Sequence, residues 1–207
     1  MIQTKIRDLA LTDYETVFSK MKEFTLSRSS DTSDEIWLTE HFPVFTQGQA
    51  GKTEHILARG SIPVVQTDRG GQVTYHGPGQ IVGYLMFDLK RMKLSVRDLV
   101  SGIEVAIAGL LEDYGIQSHF RSDAPGVYVG DKKISALGLR VRQGCSYHGF
   151  SLNVDMDLEP FTRINPCGLT DIGITQLADL GGPSDLKIVA EHLLKKLTVA
   201  YDLNLHK

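Results

Sequence analysis

Cys167 and Lys133 are the two side chains whose neighbours best fit them for covalent chemistry. Cys167 stands in Ile164-Asn-Pro-Cys-Gly-Leu169, within an irregular stretch running from Asp155 to Leu180. Pro166 fixes its own φ and Gly168 permits a sharp turn, so the thiol can be presented on a bend. Two readings stand at this point: a nucleophile acting as its thiolate, or a small inert core residue, as free cysteines often are. Lys133, in Gly130-Asp-Lys-Lys-Ile-Ser-Ala-Leu-Gly138, opens a strand whose following residues are small or apolar. Alternation along a strand sends Lys132 and Lys133 to opposite faces. An inward lysine beside a thiol favours the thiolate and exchanges a proton with it, the pair titrating as a unit. The plainer alternative is two solvated lysines in a turn.

A second concentration of chemistry runs from Arg69 to Tyr84, RGGQVTYHGPGQIVGY. Five glycines, at 70, 71, 77, 79 and 83, surround Arg69, Thr74, Tyr75, His76 and Gln80. Glycine allows left-handed backbone and close approach of another molecule. The spacing predicts two strands, Gln72–Tyr75 and Gln80–Leu89, linked by a tight His-Gly-Pro-Gly turn with polar groups aimed at the space above. The alternative is a surface hairpin with turn-type glycines.

Other candidates fall away. Gln47–Thr53, QGQAGKT, ends like a phosphate-binding loop, but that motif needs glycine at position 46, which is Thr46. It reads instead as a flexible surface loop. Cys145, in a predicted hairpin turn, reads as structural, and Cys145-Ser-Tyr-His148 lacks a second pair of ligands for zinc.

The elements that must position these residues follow from periodicity. Residues 1–10 read as a strand, and Thr12 or Asp13 caps a helix reaching about Arg28. Strands follow at Asp34–Glu40, Pro43–Phe45 and Ile62–Thr67. Val96, Leu99, Val100, Ile103, Ile107, Leu110, Leu111 and Tyr114 mark an amphipathic helix ended by Gly115. Three strands, Gly126–Val129, Lys133–Val141 and Ser146–Val154, turn at Gly130-Asp131 and Gln143-Gly144. Ser184 is the expected cap of a last helix with Leu186, Val189, Leu193, Leu197 and Tyr201 inward. This pattern predicts an α+β domain with a mixed sheet, one unit over residues 1–207. A net charge of -3 over 207 residues argues against nucleic acid as the main partner. No segment has the apolar length of a membrane span, and MIQTKIRDLA has no apolar leader core, so a cytoplasmic protein with reduced cysteines is expected.

Taken together, RGGQVTYHGPGQIVGY, DKKISALGLRV, YHGFSLNV and INPCGL resemble, in order and content, the lipoyl(octanoyl) transferases, also described as octanoyl-acyl carrier protein:protein N-octanoyltransferases. The resemblance spans about residues 30–185. It implies the fold of the biotin and lipoate protein ligases: a mixed β-sheet flanked by helices around an acyl pocket. It implies a catalytic dyad of Cys167 and Lys133, with no metal and no cofactor. It also implies that Arg69, Gly70, Gly71, Gln72, Val73, Thr74, Tyr75 and His76 line the acyl and carrier site. Ala136, Leu137 and Gly138, with Gly149, Phe150 and Ser151, complete that lining. The expected donor is octanoyl-acyl carrier protein. The expected acceptors are lipoyl domains of 2-oxoacid dehydrogenases and the glycine cleavage H protein. Because carrier proteins are acidic, Lys90, Arg91, Lys93, Arg97, Arg140 and Arg142 are candidate docking residues. Two rivals remain. An ATP-dependent lipoate–protein ligase shares the fold, but its turn usually reads His-Asp-x-Gly-Asn where this chain has His76-Gly-Pro-Gly-Gln80. A non-catalytic acyl-carrier-binding module would survive loss of the thiol.

Overall fold

A computed structural model describes residues 2–165 and 173–206. Ile2–Thr12 (β1) leads into helix Tyr14–Ser27 (α1), followed by strands Asp34–His41 (β2), Val44–Gln47 (β3), Val64–Gln66 (β4), Val73–His76 (β5) and Gln80–Met86 (β6). Helices Leu89–Met92 (α2) and Val96–Asp113 (α3) precede strands His119–Phe120 (β7), Gly126–Val129 (β8), Lys132–Arg142 (β9) and Cys145–Asn153 (β10). Gly173–Ile174 (β11), helix Leu186–Tyr201 (α4) and Leu203–His206 (β12) finish the described chain. The larger sheet runs β12-β1-β2-β6-β10-β9-β8-β7, with β11 paired to β9, and a smaller sheet runs β4-β3-β5. Parallel and antiparallel pairs both occur, giving the expected mixed sheet flanked by helices.

Strand β6 explains the layering. All its residues are buried, which requires cover on both faces. Its alternation deals Ile81 and Leu85 to a core formed with α3 and α4, and Val82, Tyr84 and Met86 to a second core under α1. Leu99, Ile103, Ile107 and Leu110 fill the first core from α3, each burial stabilising by about 1.5–3 kcal/mol. Val96, expected in that stripe, is half exposed at the first position of the helix. Ser95 and Asp98 close a capping box at the start of α3, and Gly115, at φ 73, ends the turn after it. At α4 the cap is Asp185 and not Ser184; its carboxylate accepts from the N–H groups of Lys187 and Ile188.

The His-Gly-Pro-Gly turn does not close a hairpin. Strand β5 pairs with β3 in the small sheet, while β6 pairs with β2 and β10 in the large one. The turn therefore carries the chain from one sheet to the other. Gly79 makes the crossing possible at φ 87: its N–H donates to Glu40 Oε2 at 2.8 Å, its carbonyl accepts from Val154 and Asp155, and any Cβ there would collide with the Asp155 carbonyl.

Candidate active site

The cleft between the sheets is framed by two glycine-rich segments bound to each other. The N–H groups of Gly48, Gln49 and Ala50 donate to the carbonyls of Gln72, Arg69 and Gly71 at 3.2, 2.9 and 3.1 Å. Within residues 47–53, expected as a flexible surface loop, residues 48–50 are thus tied down, their backbone donors satisfied by the Arg69–Gln72 segment. The Arg69 guanidinium is buried and donates to the carbonyls of Thr46, Gly70 and Gln72 at 2.7, 2.9 and 2.8 Å, and to Thr46 Oγ1 at 2.9 Å. Gly70 N–H donates to Leu139 O at 3.0 Å, fastening the whole frame to β9. A Cβ on Gly138 would lie 3.0 Å from Arg69 Cδ, so glycine there admits the arginine stem.

One cleft, about 750 Å³ with its open mouth included, collects most of the residues singled out from the sequence. Arg69, Gly71, Gln72, Val73, Thr74 and His76 line one wall, and Ala136, Leu137, Gly138, Gly149, Phe150, Ser151 and Lys133 line the other. Gly70 and Tyr75 are not on the lining. Gly70 acts through its backbone bonds, and alternation along β5 turns Tyr75 away from Thr74 and His76 onto Phe45 and Phe161, at ring separations of 5.6 and 5.4 Å. Cys167 lies outside the described residues. Tyr14, Tyr84, His148 and Asn153 also face the cleft and were missed. Tyr14 has the spacing of a core position in α1, whereas His148 stands in plain view within YHGFSLNV.

Three buried histidines surround this space, and their tautomers follow from their partners. His41 Nδ1 lies 3.0 Å from the Thr12 carbonyl, which can only accept, so Nε2 accepts from the Tyr84 hydroxyl at 2.6 Å. His76 Nδ1 lies 2.7 Å from Gln80 Oε1. The amide of Gln80 is oriented by donation to Asn153 Oδ1 at 2.8 Å, so His76 donates from Nδ1 and its Nε2 faces Thr46 Oγ1 at 3.4 Å. Burial pushes His41 down to about 4 and His76 down to about 3, so both are neutral near pH 7. The Tyr14 ring stacks on His76 at 5.7 Å, and burial pushes its hydroxyl up to about 12.

His148 differs in backbone as well as bonding. It sits inside β10 at φ 59, an uncommon conformation for a non-glycine residue. The kink lets consecutive side chains reach one carboxylate: Tyr147 OH donates to Asp68 Oδ2 at 2.5 Å, and His148 Nε2 lies 2.9 Å from Asp68 Oδ1. Although burial opposes it, bonding to His148 and Tyr147 holds Asp68 down at about 2, while burial lowers His148 despite the carboxylate. His148 Nδ1 is buried without a hydrogen-bond partner among the described residues.

Lys133 marks the opposite end. Only 3% exposed, against an exposed Lys132, it takes the inward face that alternation predicts. Its Nζ donates to the Pro125 carbonyl at 3.4 Å and lies 5.2 Å from the centroid of the Tyr128 ring. The β8–β9 register shifts here, Val127 facing Ser135 and Tyr128 facing Lys133, a bulge of the kind that re-aims side chains beside active sites. Gly173–Ile174 pairs with Lys132–Lys133, so the described chain resumes after Cys167 directly against this lysine. Cys145 is buried at the start of β10 and burial raises its thiol, consistent with a structural role. Of the candidate docking cations, Arg91 is bound to Asp34 and to the Ser30 and Thr32 carbonyls, whereas Arg140 bonds Gln49 on the exposed side of the frame. No helix among the described residues is long and apolar enough to cross a membrane.

Residues 13–198 match the family described as the lipoyl protein ligase A/B catalytic domain. An octanoyltransferase from Pseudomonas syringae pv. syringae (strain B728a) is 57% identical over 196 residues, covering 95% of this chain and 90% of that protein. An octanoyltransferase from Vibrio campbellii (strain ATCC BAA-1116) is 56% identical over 200 residues, covering 97% and 91%. Among solved structures, a lipoate-protein ligase A bound with ATP matches with a TM-score of 0.83 at 13% identity, over 100% of this chain and 88% of that one. A biotin protein ligase from Aquifex aeolicus gives a TM-score of 0.58 at 15% identity, over 98% and 70%. At those identities the structural likeness is one of fold. On the sequence matches, this chain belongs to the lipoyl protein ligase A/B catalytic-domain family, on its octanoyltransferase branch.

Proposed function

We propose that this protein transfers an octanoyl group from the thioester of an acyl carrier protein to a lysine of a lipoyl domain, through an acyl-enzyme on Cys167. The observation that carries this reading is Lys133: a lysine buried in the wall of the cleft, against which the chain resumes after Cys167. The octanoyltransferase relatives supply the acyl class.

In the first step the Cys167 thiolate attacks the octanoyl carbonyl. The carbon–sulfur bond to the carrier's phosphopantetheine breaks, and the departing thiolate takes the proton that Lys133 drew from Cys167, leaving Lys133 neutral. In the second step the acceptor lysine's neutral amine attacks the new thioester. An amide bond forms, Cys167 leaves as thiolate, and the amine's extra proton passes to Lys133. Dividing the transfer in this way is nucleophilic catalysis with a shared acid–base group. Exchange between thioesters is nearly balanced and the thioester-to-amide step is downhill, so no ATP is consumed. The Arg69 frame and the Gly138–Gly149 strands hold the acyl chain, and Arg140, at the frame's exposed side, is available to an acidic carrier.

Intact mass of the protein after mixing with octanoyl-acyl carrier protein tests the intermediate. A hydroxylamine-labile octanoyl adduct on the wild type, absent from Cys167→Ser, is the expected result. Lipoyl-domain modification that appears only with ATP and free octanoate would overturn it in favour of a ligase.

A further inference from the structure

The segment from Ala124 to Tyr128 is shaped around the Lys133 side chain. The Pro125 carbonyl accepts from Nζ at 3.4 Å, and a Cβ on Gly126 would lie 3.2 Å from Lys133 Cε, so glycine there leaves room for the stem. Past the β8–β9 bulge, Tyr128 stands directly across from Lys133 and shares its face, with the ring centroid 5.2 Å from Nζ. The ring is fully buried, so water screens its attraction for a cation very little. Its hydroxyl donates to the Ala124 carbonyl at 2.7 Å, which fixes the ring plane and enriches its π-electrons.

Other charged or titratable groups stand around this ring. Arg121 Cζ lies 5.3 Å from its centroid, but that guanidinium is paired with Asp123 at 2.7 Å. The His119 ring stacks on it at 5.7 Å, and Glu104 accepts from the Gly126 N–H at 3.2 Å. Lys133 lines the cleft, whereas Tyr128 is not on the lining and reaches the reacting atoms only through the lysine. In the reaction proposed above, Lys133 becomes an ammonium twice: on drawing the proton of Cys167, and on taking the extra proton of the acceptor amine. The negative face of an aromatic ring attracts the ammonium far more than the neutral amine.

We infer that Tyr128 is a positioning residue for the transfer: its ring holds Lys133 Nζ at the cleft wall and favours the ammonium form through which both proton transfers pass. This rests on the acid–base reading of Lys133. The test is steady-state octanoylation of a lipoyl domain from octanoyl-acyl carrier protein, with kcat and KM separated. Tyr128→Phe keeps the ring and is expected to stay within about threefold of wild type. Tyr128→Leu removes the ring and should lower kcat roughly tenfold, the scale of one desolvated cation–π contact, with KM for the carrier nearly unchanged. Mono-, di- and trifluorinated phenylalanine in place of Tyr128 keep the shape while draining the ring face of negative potential. In that series kcat should fall stepwise with each fluorine at an unchanged thermal transition, a trend that a purely structural ring would not produce. If Tyr128→Leu does not fold, the fluorinated series decides alone. A flat series, or a Tyr128→Phe as slow as Tyr128→Leu, would overturn this inference while leaving the acyl-transfer reading intact. Full activity of Lys133→Met, or no octanoyl transfer by the wild type, would overturn that reading and this inference with it.

Discussion

His76 and His148 are both buried against the same cleft, yet they are made on different plans. His76 has a partner at each ring nitrogen, Gln80 and Thr46, and its partners are themselves oriented by Asn153 and Arg69. His148 is held at one ring nitrogen only, by a carboxylate, and its second nitrogen is buried without a hydrogen-bond partner among the described residues. Full satisfaction fixes a group and removes it from chemistry, and such a histidine serves as a strut. A ring held at one nitrogen is fixed less completely. The glycine-rich frame is likewise closed by backbone bonds, while Lys133 lies in the cleft wall where the described chain returns.

The contrast is sharpest where the reacting end is removed. Lys133→Met should lower kcat by roughly 10²–10⁴-fold, the range for a positioned acid–base group, with the thermal transition retained. A variant within threefold of wild type would remove Lys133 from the proton role.

Acid should break the histidine struts next. A depressed histidine pKa means the unfolded chain binds more protons, so stability is complete above about 6.5 and declines as pH falls toward about 4 for His41 and about 3 for His76. Each such histidine contributes a slope of up to ~1.4 kcal/mol per pH unit. Asp68, held near 2, loses its contribution only below about 3.8. Urea titrations between pH 7 and 4 should show the decline beginning near 6.5, and His76→Gln should reduce the slope by about one proton. A flat profile would contradict the buried neutral assignment.

Direct replacement gives the smaller effects. His76→Ala leaves Gln80 and Thr46 without their buried partner and opens a cavity, at a cost of ~2–4 kcal/mol. His148→Gly loses a single bond, to Asp68, and also opens a cavity, but it relieves the left-handed backbone, so its cost should be the smaller of the two. If His148→Gly proved the more costly in urea denaturation, the division into strut and half-held ring would fail.

Local periodicity made most of the elements legible: the capped helix after β1, the stripe of α3, the alternation that separates Lys132 from Lys133. It could not say which sheet a strand joins. Residues 73–76 and 80–86 look like a hairpin because strand propensity and turn glycines are local, whereas pairing with β3 on one side and with β2 and β10 on the other is not. The clamp on Gly48–Ala50 escaped for the same reason, as did the Asp68–His148 pair, whose members are 80 positions apart. Tyr14 was hidden differently: its spacing in α1 is that of a core residue, and only the packing shows its ring on His76.

The most direct test of the account is transfer itself. Wild type and Cys167→Ser are each mixed with octanoyl-acyl carrier protein and an unmodified lipoyl domain, without ATP, and the mass of the lipoyl domain is followed. The account predicts octanoylation of one lysine by the wild type and none by Cys167→Ser. Equal transfer by both proteins, or transfer only after ATP and free octanoate are added, would contradict it.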